Sequence, residues 1–439
     1  LMNHKLSQKH RFTKAHTQNY RQSFALNRNV SGFNIQKKEL IYTIVSDKSD
    51  GAFIWDIDGN KYIDLTMGFG SILFGHNYPP ICKAIKDQLN KSWSVGPISP
   101  LAGILAKQIT RATNTERAAF FNSGTEAIMV SLRIAKAVTK KKYIVFFKGA
   151  YHGTFDPLLT LRRDQQTNIA KESIPGITQS ILNESYVFDY GAEESLDFIK
   201  RNKDDIAAVL VEPVQSRNPS LQPIEFLKKI RSITEQNNIA LIFDEVITGF
   251  RIDVGGCQKQ FNIQADIVTY GKVIGGGLPI GIVAGKRKFL DAIDGGFWQY
   301  GDQSIPTVKS TFVAGTFCHH PLAMAASLKT LEILTNNNGQ LLKDINIRAS
   351  NFCHRMNVFF KENFPKLSIV HFGSLFRFVT PGKYKELYNQ LLLNGVYIWE
   401  GKNCFISAAH SDDVIAKLED KIKLSCKQLL DNGIIKTRA

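Results

Sequence analysis

The chain has 439 residues, 44% of them hydrophobic, and a net charge of +16 from 55 Lys and Arg against 39 Asp and Glu. That is enough apolar material for a large core shared by two lobes of one functional unit, and no run of about 18 apolar residues is present to cross a membrane. Apart from Lys140–Lys142 and the first thirty residues the basic side chains are dispersed, which argues for a solvated basic surface and against nucleic acid; charge of this sign also suits an acidic partner protein.

Residues 1–30 are polar and basic without apolar periodicity, the composition of a tail or interdomain linker. The opening Leu1-Met2-Asn3 lacks an apolar signal core, and a first residue of Leu is expected of a tag remnant or a piece of a longer polypeptide. Phe53 to Leu65 reads as a β-hairpin turning at Asp58-Gly59. A glycine-rich loop, Met67 to His76, follows. Helices are predicted over Pro80–Leu89, Ala102–Arg111 and Ser123–Val138, and a strand over Tyr143–Phe147. Asp156 to Asn183 is long, polar and aperiodic, as an active-site lid would be. Buried strands are then expected at Ile206–Val211, Ile239–Phe243, Ile267–Tyr270 and Ile280–Ala284, with a helix over Ile224–Asn237. Turns around Gly295–Gly301 lead to a long helix over His320–Leu334. Ser368–Thr380 and Val396–Ser407 are strand-rich, and Ser411 or Asp412 caps a last helix whose apolar stripe includes Ile415, Leu418, Ile422 and Leu429. Alternating strands and helices predict an α/β protein with a mostly parallel sheet.

Three strand ends carry the chemistry. The strand before Gly271-Lys272 delivers a lysine to a glycine-rich loop, Gly275-Gly276-Gly277. An amine held against apolar surroundings loses part of its ammonium stability and can form Schiff bases with carbonyl compounds, pyridoxal phosphate among them. A solvated loop lysine is the ordinary alternative. The strand before Asp244-Glu245 ends in two carboxylates, which fit either a turn or a cationic partner such as a pyridinium nitrogen. Ser123-Gly124-Thr125 opens a helix and offers free N–H groups to a phosphate, or simply an N-cap. The six cysteines are scattered with no Cys-x-x-Cys pair, as in a reduced, cytoplasmic protein, and Cys318-His319-His320 lacks the neighbours of a metal site, so no metal is expected.

Taken together, Asn122-Ser-Gly-Thr-Glu-Ala127, Tyr151-His-Gly153, Val211-Glu-Pro213, Ile242 to Arg251, Gly271-Lys272 and Ala314-Gly-Thr316 stand in an order that resembles the class III pyridoxal-phosphate (PLP) aminotransferases. Gly275 to Gly281 and His320 to Ala326 are similar to the glutamate-1-semialdehyde aminomutase subgroup. Val214 to Arg217, Asp294 to Asp302, Phe372 to Arg377 and Tyr397 to Gly401 look like the β-aminotransferase domains of hybrid polyketide/peptide synthetases. Gln215-Ser-Arg-Asn218 departs from the aminomutases, which have a Gly-Asn pair there.

The resemblance implies a fold-type I architecture, with a large domain around the sheet and a smaller α+β C-terminal lobe. Its division of the chain is a tail or linker over 1–30, a segment over 31–100 contributing to the small lobe and site entrance, a PLP-binding domain over 101–318 and a small domain over 319–439. It implies that Lys272 holds the cofactor and shuttles protons and that Asp244 pairs with the ring nitrogen. It further implies that Tyr151 and Val246 flank the ring, that His152 and Glu212 orient these groups, and that Ser123, Gly124, Thr125 and a neighbouring subunit's Thr316 hold the phosphate. Phe69 and Arg217 are candidates to line the substrate pocket. The region from Asp156 to Asn183 gates the site in the aminomutase. A homodimer, a donor such as glutamate or glutamine, and a β-keto acyl thioester on an acyl carrier protein are the partners implied, with a 2,1-aminomutase as the alternative activity.

Overall fold

The computed structural model describes residues 2–436 apart from Leu161 and Ser173. Two compact units share the chain, Leu1–Tyr78 with Ile345–Ala439, and Pro79–Asp344.

The first unit opens on two helices, α1 (Met2–Lys9) and α2 (Arg11–Tyr20), where composition predicted a tail. Polar contacts that leave no periodic signature hold them. His10 is fully buried, with Nδ1 2.8 Å from the Tyr42 hydroxyl and Nε2 2.8 Å from that of Tyr62. After β1 (Ser46–Asp50) comes the expected hairpin, β2 (Phe53–Asp56) and β3 (Lys61–Asp64). Its turn residue Asp58 accepts the N–H groups of Phe12 at 2.6 Å and Thr13 at 2.9 Å. One carboxylate thus caps the positive end of α2.

In the second unit α3 (Pro79–Lys91) and α4 (Pro100–Thr113) precede β4 (Arg117–Phe121), α5 (Gly124–Thr139) and β5 (Tyr143–Phe147). The expected lid is structured. It holds two short antiparallel strands, β6 (Arg162–Arg163) and β7 (Ala170–Lys171), and α6 (Gln179–Leu182). Leu158, Ala170, Ile177 and Leu182 sink into the core of the unit, so isolated apolar residues tie down a segment that has no regular pattern. Leu161 and Ser173 within it lie outside the described residues. Then follow β8 (Ser185–Phe188), α7 (Glu193–Arg201), β9 (Ile206–Val211), α8 (Ile224–Gln236), β10 (Ala240–Asp244), α9 (Gly256–Phe261), β11 (Ile267–Gly271), β12 (Gly281–Gly285), α10 (Arg287–Asp294) and α11 (Pro321–Thr335).

Seven of these strands form one sheet in the order β4-β12-β11-β10-β9-β5-β8. Only β12 runs against the rest. Strands β9 to β12 are buried along their whole length, because helices cover both faces, and this is why they read as unbroken apolar runs. Since α3 and α11 belong to this unit, its limits at residues 79 and 344 are wider than the expected 101–318.

The chain returns to the first unit within α12 (Gln340–Asn363). There β13 (Ser368–Phe372), β14 (Leu375–Val379), α13 (Glu386–Leu393), β15 (Val396–Tyr397), β16 (Cys404–Phe405) and α14 (Asp412–Asp431, capped by Ser411) complete an α+β unit. Among the described residues no helix is long and apolar enough to cross a membrane, and all six cysteines are free.

Candidate active site

In a parallel sheet the carboxyl ends of the strands lie along one edge, which is where open α/β sheets receive ligands. Strand β4 runs into Ser123, β5 into Tyr151 and His152, β9 into Glu212, β10 ends on Asp244 and β11 runs into Lys272. Adjacent parallel strands set the spacing. Asp244 is in register with Thr269 of β11, three positions before Lys272.

Asp244 is 4% exposed, yet every described partner suits an anion. Its Oδ2 accepts His152 Nδ1–H at 2.7 Å, and its Oδ1 accepts the Val246 N–H at 3.1 Å and the Thr269 hydroxyl at 3.3 Å. The other ring nitrogen of His152, Nε2, is buried without a partner among the described residues. Burial lowers the Lys272 amine below the ordinary lysine value, the Asp244 and Glu212 carboxylates act against that shift, and the Arg251 guanidinium adds to it. Burial raises the Glu212 carboxyl, and neighbouring Asp244 raises it further. Glu212 accepts the N–H groups of Tyr151 at 3.2 Å and Ser216 at 2.8 Å, so it shapes the loop that carries Tyr151.

The N-terminus of α5 is capped by Ser123, whose hydroxyl accepts the Glu126 N–H at 3.2 Å, while the Glu126 carboxylate accepts the Asn122 N–H at 2.6 Å. The first helical N–H groups, those of Gly124 and Thr125, have no intrahelical acceptor and concentrate the positive end of the dipole. Small residues keep the cradle open and close to its surroundings. A Cβ on Gly124 would stand 3.1 Å from the Val246 methyls, and one on Gly153 2.3 Å from Thr125 Oγ1. Tyr151 is 45% exposed and the guanidinium of Arg217 lies 5.2 Å from its ring centre.

Among the sequence candidates, Lys272, Asp244, His152, Glu212, Tyr151, Val246, Ser123, Gly124, Thr125 and Arg217 gather along this edge. Thr316 sits in an exposed irregular stretch of the same unit, with no described contact to the others. Phe69 belongs to the first unit, where its backbone is left-handed (φ 56°) and its ring meets Trp399 edge-on at 5.4 Å. Sequence reasoning missed Thr269, which hides in a buried strand; Gln215, singled out only as part of a motif, donates its side-chain amide to the Lys148 carbonyl at 3.0 Å. No periodic signal marks Thr269, because a strand buried along its whole length shows no alternation, and its pairing with Asp244 exists only in the fold.

The model of the class-III aminotransferases matches residues 34–416. The chain is a class III aminotransferase. Among curated relatives of this aminotransferase, the glutamate-1-semialdehyde 2,1-aminomutase of Sulfolobus acidocaldarius is 35% identical over 395 residues, covering 85% of this chain and 90% of its own. Among solved structures, an omega-transaminase from Sphaerobacter thermophilus superposes with a TM-score of 0.85 at 23% identity over 94% of this chain and 97% of its own. A transaminase with PLP bound does so with a TM-score of 0.83 at 26% identity, over 98% and 99%. The fold is therefore that of fold-type I PLP enzymes. Class III aminotransferases are PLP-dependent transaminases and related enzymes.

The residues present fit that cofactor. PLP has an aldehyde, a basic ring nitrogen and a phosphate. The site offers an amine with a lowered pKa, a buried carboxylate, and a helix N-terminus flanked by hydroxyls. Among the described residues no group of three or more His, Cys, Asp or Glu is placed to hold a metal ion.

Proposed function

We propose that this chain binds PLP through Lys272 and moves an amino group with it. The observation that carries the proposal is the convergence of Lys272, Asp244 and the α5 N-terminus on the carboxyl edge of one sheet. PLP, when bound, supplies an aldehyde carbon that takes up amines and a ring that accepts electrons from the carbon bearing the amino group. Lys272 Nζ would bind that aldehyde and take or give a proton there, which its lowered pKa favours. Asp244 would hold the ring nitrogen as a cation, with the His152 Nδ1–H fixing the carboxylate's direction. Tyr151 and Val246 would flank the ring, Glu212 would hold the Tyr151 main chain, and Ser123, Gly124 and Thr125 would bind phosphate.

Two acceptors are in play. The named relatives, at about a third identity, support transfer within one small semialdehyde, as a 2,1-aminomutase. The departure at Gln215-Ser-Arg217 supports transfer between two molecules, from glutamate or glutamine to a β-keto acyl thioester on an acyl carrier protein. Exposed Arg217 beside Tyr151 and the net charge of +16 suit an acidic carrier. On either reading we take the active unit as a homodimer in which Thr316 reaches the partner's phosphate. Supporting this, Phe297, Tyr300, Phe312 and Phe317 in the same irregular region are more than half exposed.

The test is a visible absorption spectrum of purified protein, with Lys272→Ala as control, before and after adding each amino donor. Conversion of glutamate-1-semialdehyde without a donor establishes the aminomutase. Discharge of the cofactor band by glutamate or glutamine, followed by recovery with a carrier-bound β-keto acid, establishes the transaminase. If the wild type takes up no PLP at Lys272, both readings fall.

A further inference from the structure

Lys272 stands in the left-handed region at φ 48°. For a residue with a Cβ that conformation is strained and persists only where the surroundings fix it. What fixes it lies behind the sheet edge, in residues the chemistry above does not use.

Two positions before Lys272, Tyr270 is wholly buried. Its hydroxyl receives Gln258 Nε2–H at 3.3 Å, and its ring packs on Phe250 with centres 5.0 Å apart. The fit leaves no slack, since a Cβ on Gly249 would fall 2.4 Å from Tyr270 Cδ1. Gln258 also holds the approach to β11, because its Oε1 accepts the N–H of Ala265, two positions before the strand begins, at 2.9 Å. One amide therefore spans the strand that carries Lys272. Gln258 is in turn held from the neighbouring strand. Glu245, next to Asp244, accepts the main-chain N–H of Gln258 at 3.1 Å, that of Cys257 at 2.7 Å and the Thr248 hydroxyl at 3.0 Å. Glu245 N–H also donates to the Thr269 carbonyl at 2.9 Å.

We infer that Glu245, Gln258 and Tyr270 form a brace that locks the lysine strand to the aspartate strand and holds Lys272 in its strained conformation, with Gln258 as its central positioning residue. The inference rests on Lys272 being the cofactor lysine. None of the three touches the amine, and their effect is transmitted through the backbone of β11. Both polar atoms of the Gln258 side chain are used, Nε2 on Tyr270 near the end of the strand and Oε1 on Ala265 just before its start, so an apolar residue of equal size loosens both grips and leaves the Ala265 N–H short of its acceptor.

The test compares Gln258→Met, Tyr270→Phe and the double variant. Tyr270→Phe removes one oxygen and keeps the packing, so it guards against a Gln258 variant that fails to fold. Apo protein is labelled with an amine reagent across pH, and modification at Lys272 is read by peptide mass spectrometry. Lys141, whose ammonium donates to three main-chain carbonyls elsewhere in the unit, is the internal control. The labelling midpoint of Lys272 is expected to rise by about one pH unit as the relaxed lysine escapes its apolar surroundings. The rate of PLP capture is expected to fall about tenfold, the worth of one such hydrogen bond. The Lys141 profile stays fixed, and the double variant adds little to either single one. An unchanged Lys272 midpoint and capture rate in both single variants, whatever their melting temperatures, would overturn the brace. A wild type that labels as expected but captures no PLP at Lys272 refutes the cofactor reading instead, and the labelling comparison still decides the brace.

Discussion

Gly281 opens β12 and is wedged between three parts of the site. It pairs with Gly271 of β11 on one side and with Phe121 of β4 on the other. A Cβ there would lie 2.0 Å from the Ser123 carbonyl oxygen, 2.6 Å from its carbon and 3.3 Å from Ala127 Cβ. Ordinary contact needs more than 3 Å, so in Gly281→Ala the Ser123 carbonyl must retreat by about 1 Å, because both flanking strands hold residue 281 in the ladder. That carbonyl accepts the Ala127 N–H at 3.1 Å, one of the first hydrogen bonds of α5. Losing it costs about 1 kcal/mol, and the overpacking costs about 1–3 kcal/mol more. At about 2–4 °C per kcal/mol for a unit of this size, the melting temperature should fall by about 4–16 °C. Moving the cradle also predicts PLP binding weaker by at least about tenfold, from misplacement on the order of 1 Å. Thermal melts and a PLP titration measure both. Gly103→Ala is the control, since a Cβ on that exposed helical glycine meets nothing within 4 Å and should add about 0.5–1 kcal/mol of stability. A Gly281→Ala protein that melts with the wild type and binds PLP equally well would refute the close approach of β12 to α5.

Lys272→Ala should fold, leave no cofactor attached to the chain after reduction and dialysis, and show no turnover. Asp244→Asn should keep the His152 contact in weaker form and lose about a hundredfold or more in turnover, the scale seen when one charged partner of a reacting group is removed; unchanged turnover would dismiss its proposed role. Glu245 gives a pH test. Burial raises its carboxyl to about 7, against 4.5 for an ordinary one. The folded state therefore holds a proton that the unfolded chain has released, and this group's stabilisation is complete below pH 4.5, shrinks between 4.5 and 7, and is lost above that. In Glu245→Gln that slope should vanish, so its melting temperature relative to wild type should climb from pH 5 to pH 8, whatever the fixed offset from altered hydrogen bonding; a difference independent of pH would refute the buried ionisation.

The parallel sheet was legible because buried strands are written as plain apolar runs and their ends as glycine, carboxylate and lysine. Asp244 and Lys272 stand out for that reason, each a charge at the end of an otherwise featureless strand. What composition hid was structure held by single contacts. The helices of residues 2–20 are held by scattered single contacts, among them a buried histidine, a turn carboxylate, the lone buried Leu6 and the Lys9 ammonium, which together make no pattern. The segment from Asp156 to Asn183 is pinned by four isolated apolar residues, too few and too irregular to show a period. Gln258 was invisible for a different reason. A buried glutamine within α9 has the look of any polar helix residue until Ala265 and Tyr270, on the far side of the turn that follows the helix, are brought back to it by the fold.

The groups on the sheet edge come from five different strands, and β12 closes against β4 only after the whole intervening chain has been placed. Contacts of such long sequence separation form late, after the entropy of closing large loops has been overcome. A growing polypeptide therefore carries no rudiment of this centre. Emerging from the ribosome, the chain would present Ser123 long before Lys272, and the amine would gain its altered reactivity only when the last ladders zip. Before that step it is an ordinary lysine, largely protonated at neutral pH and slow toward aldehydes, and its reactivity rises only with the completion of folding.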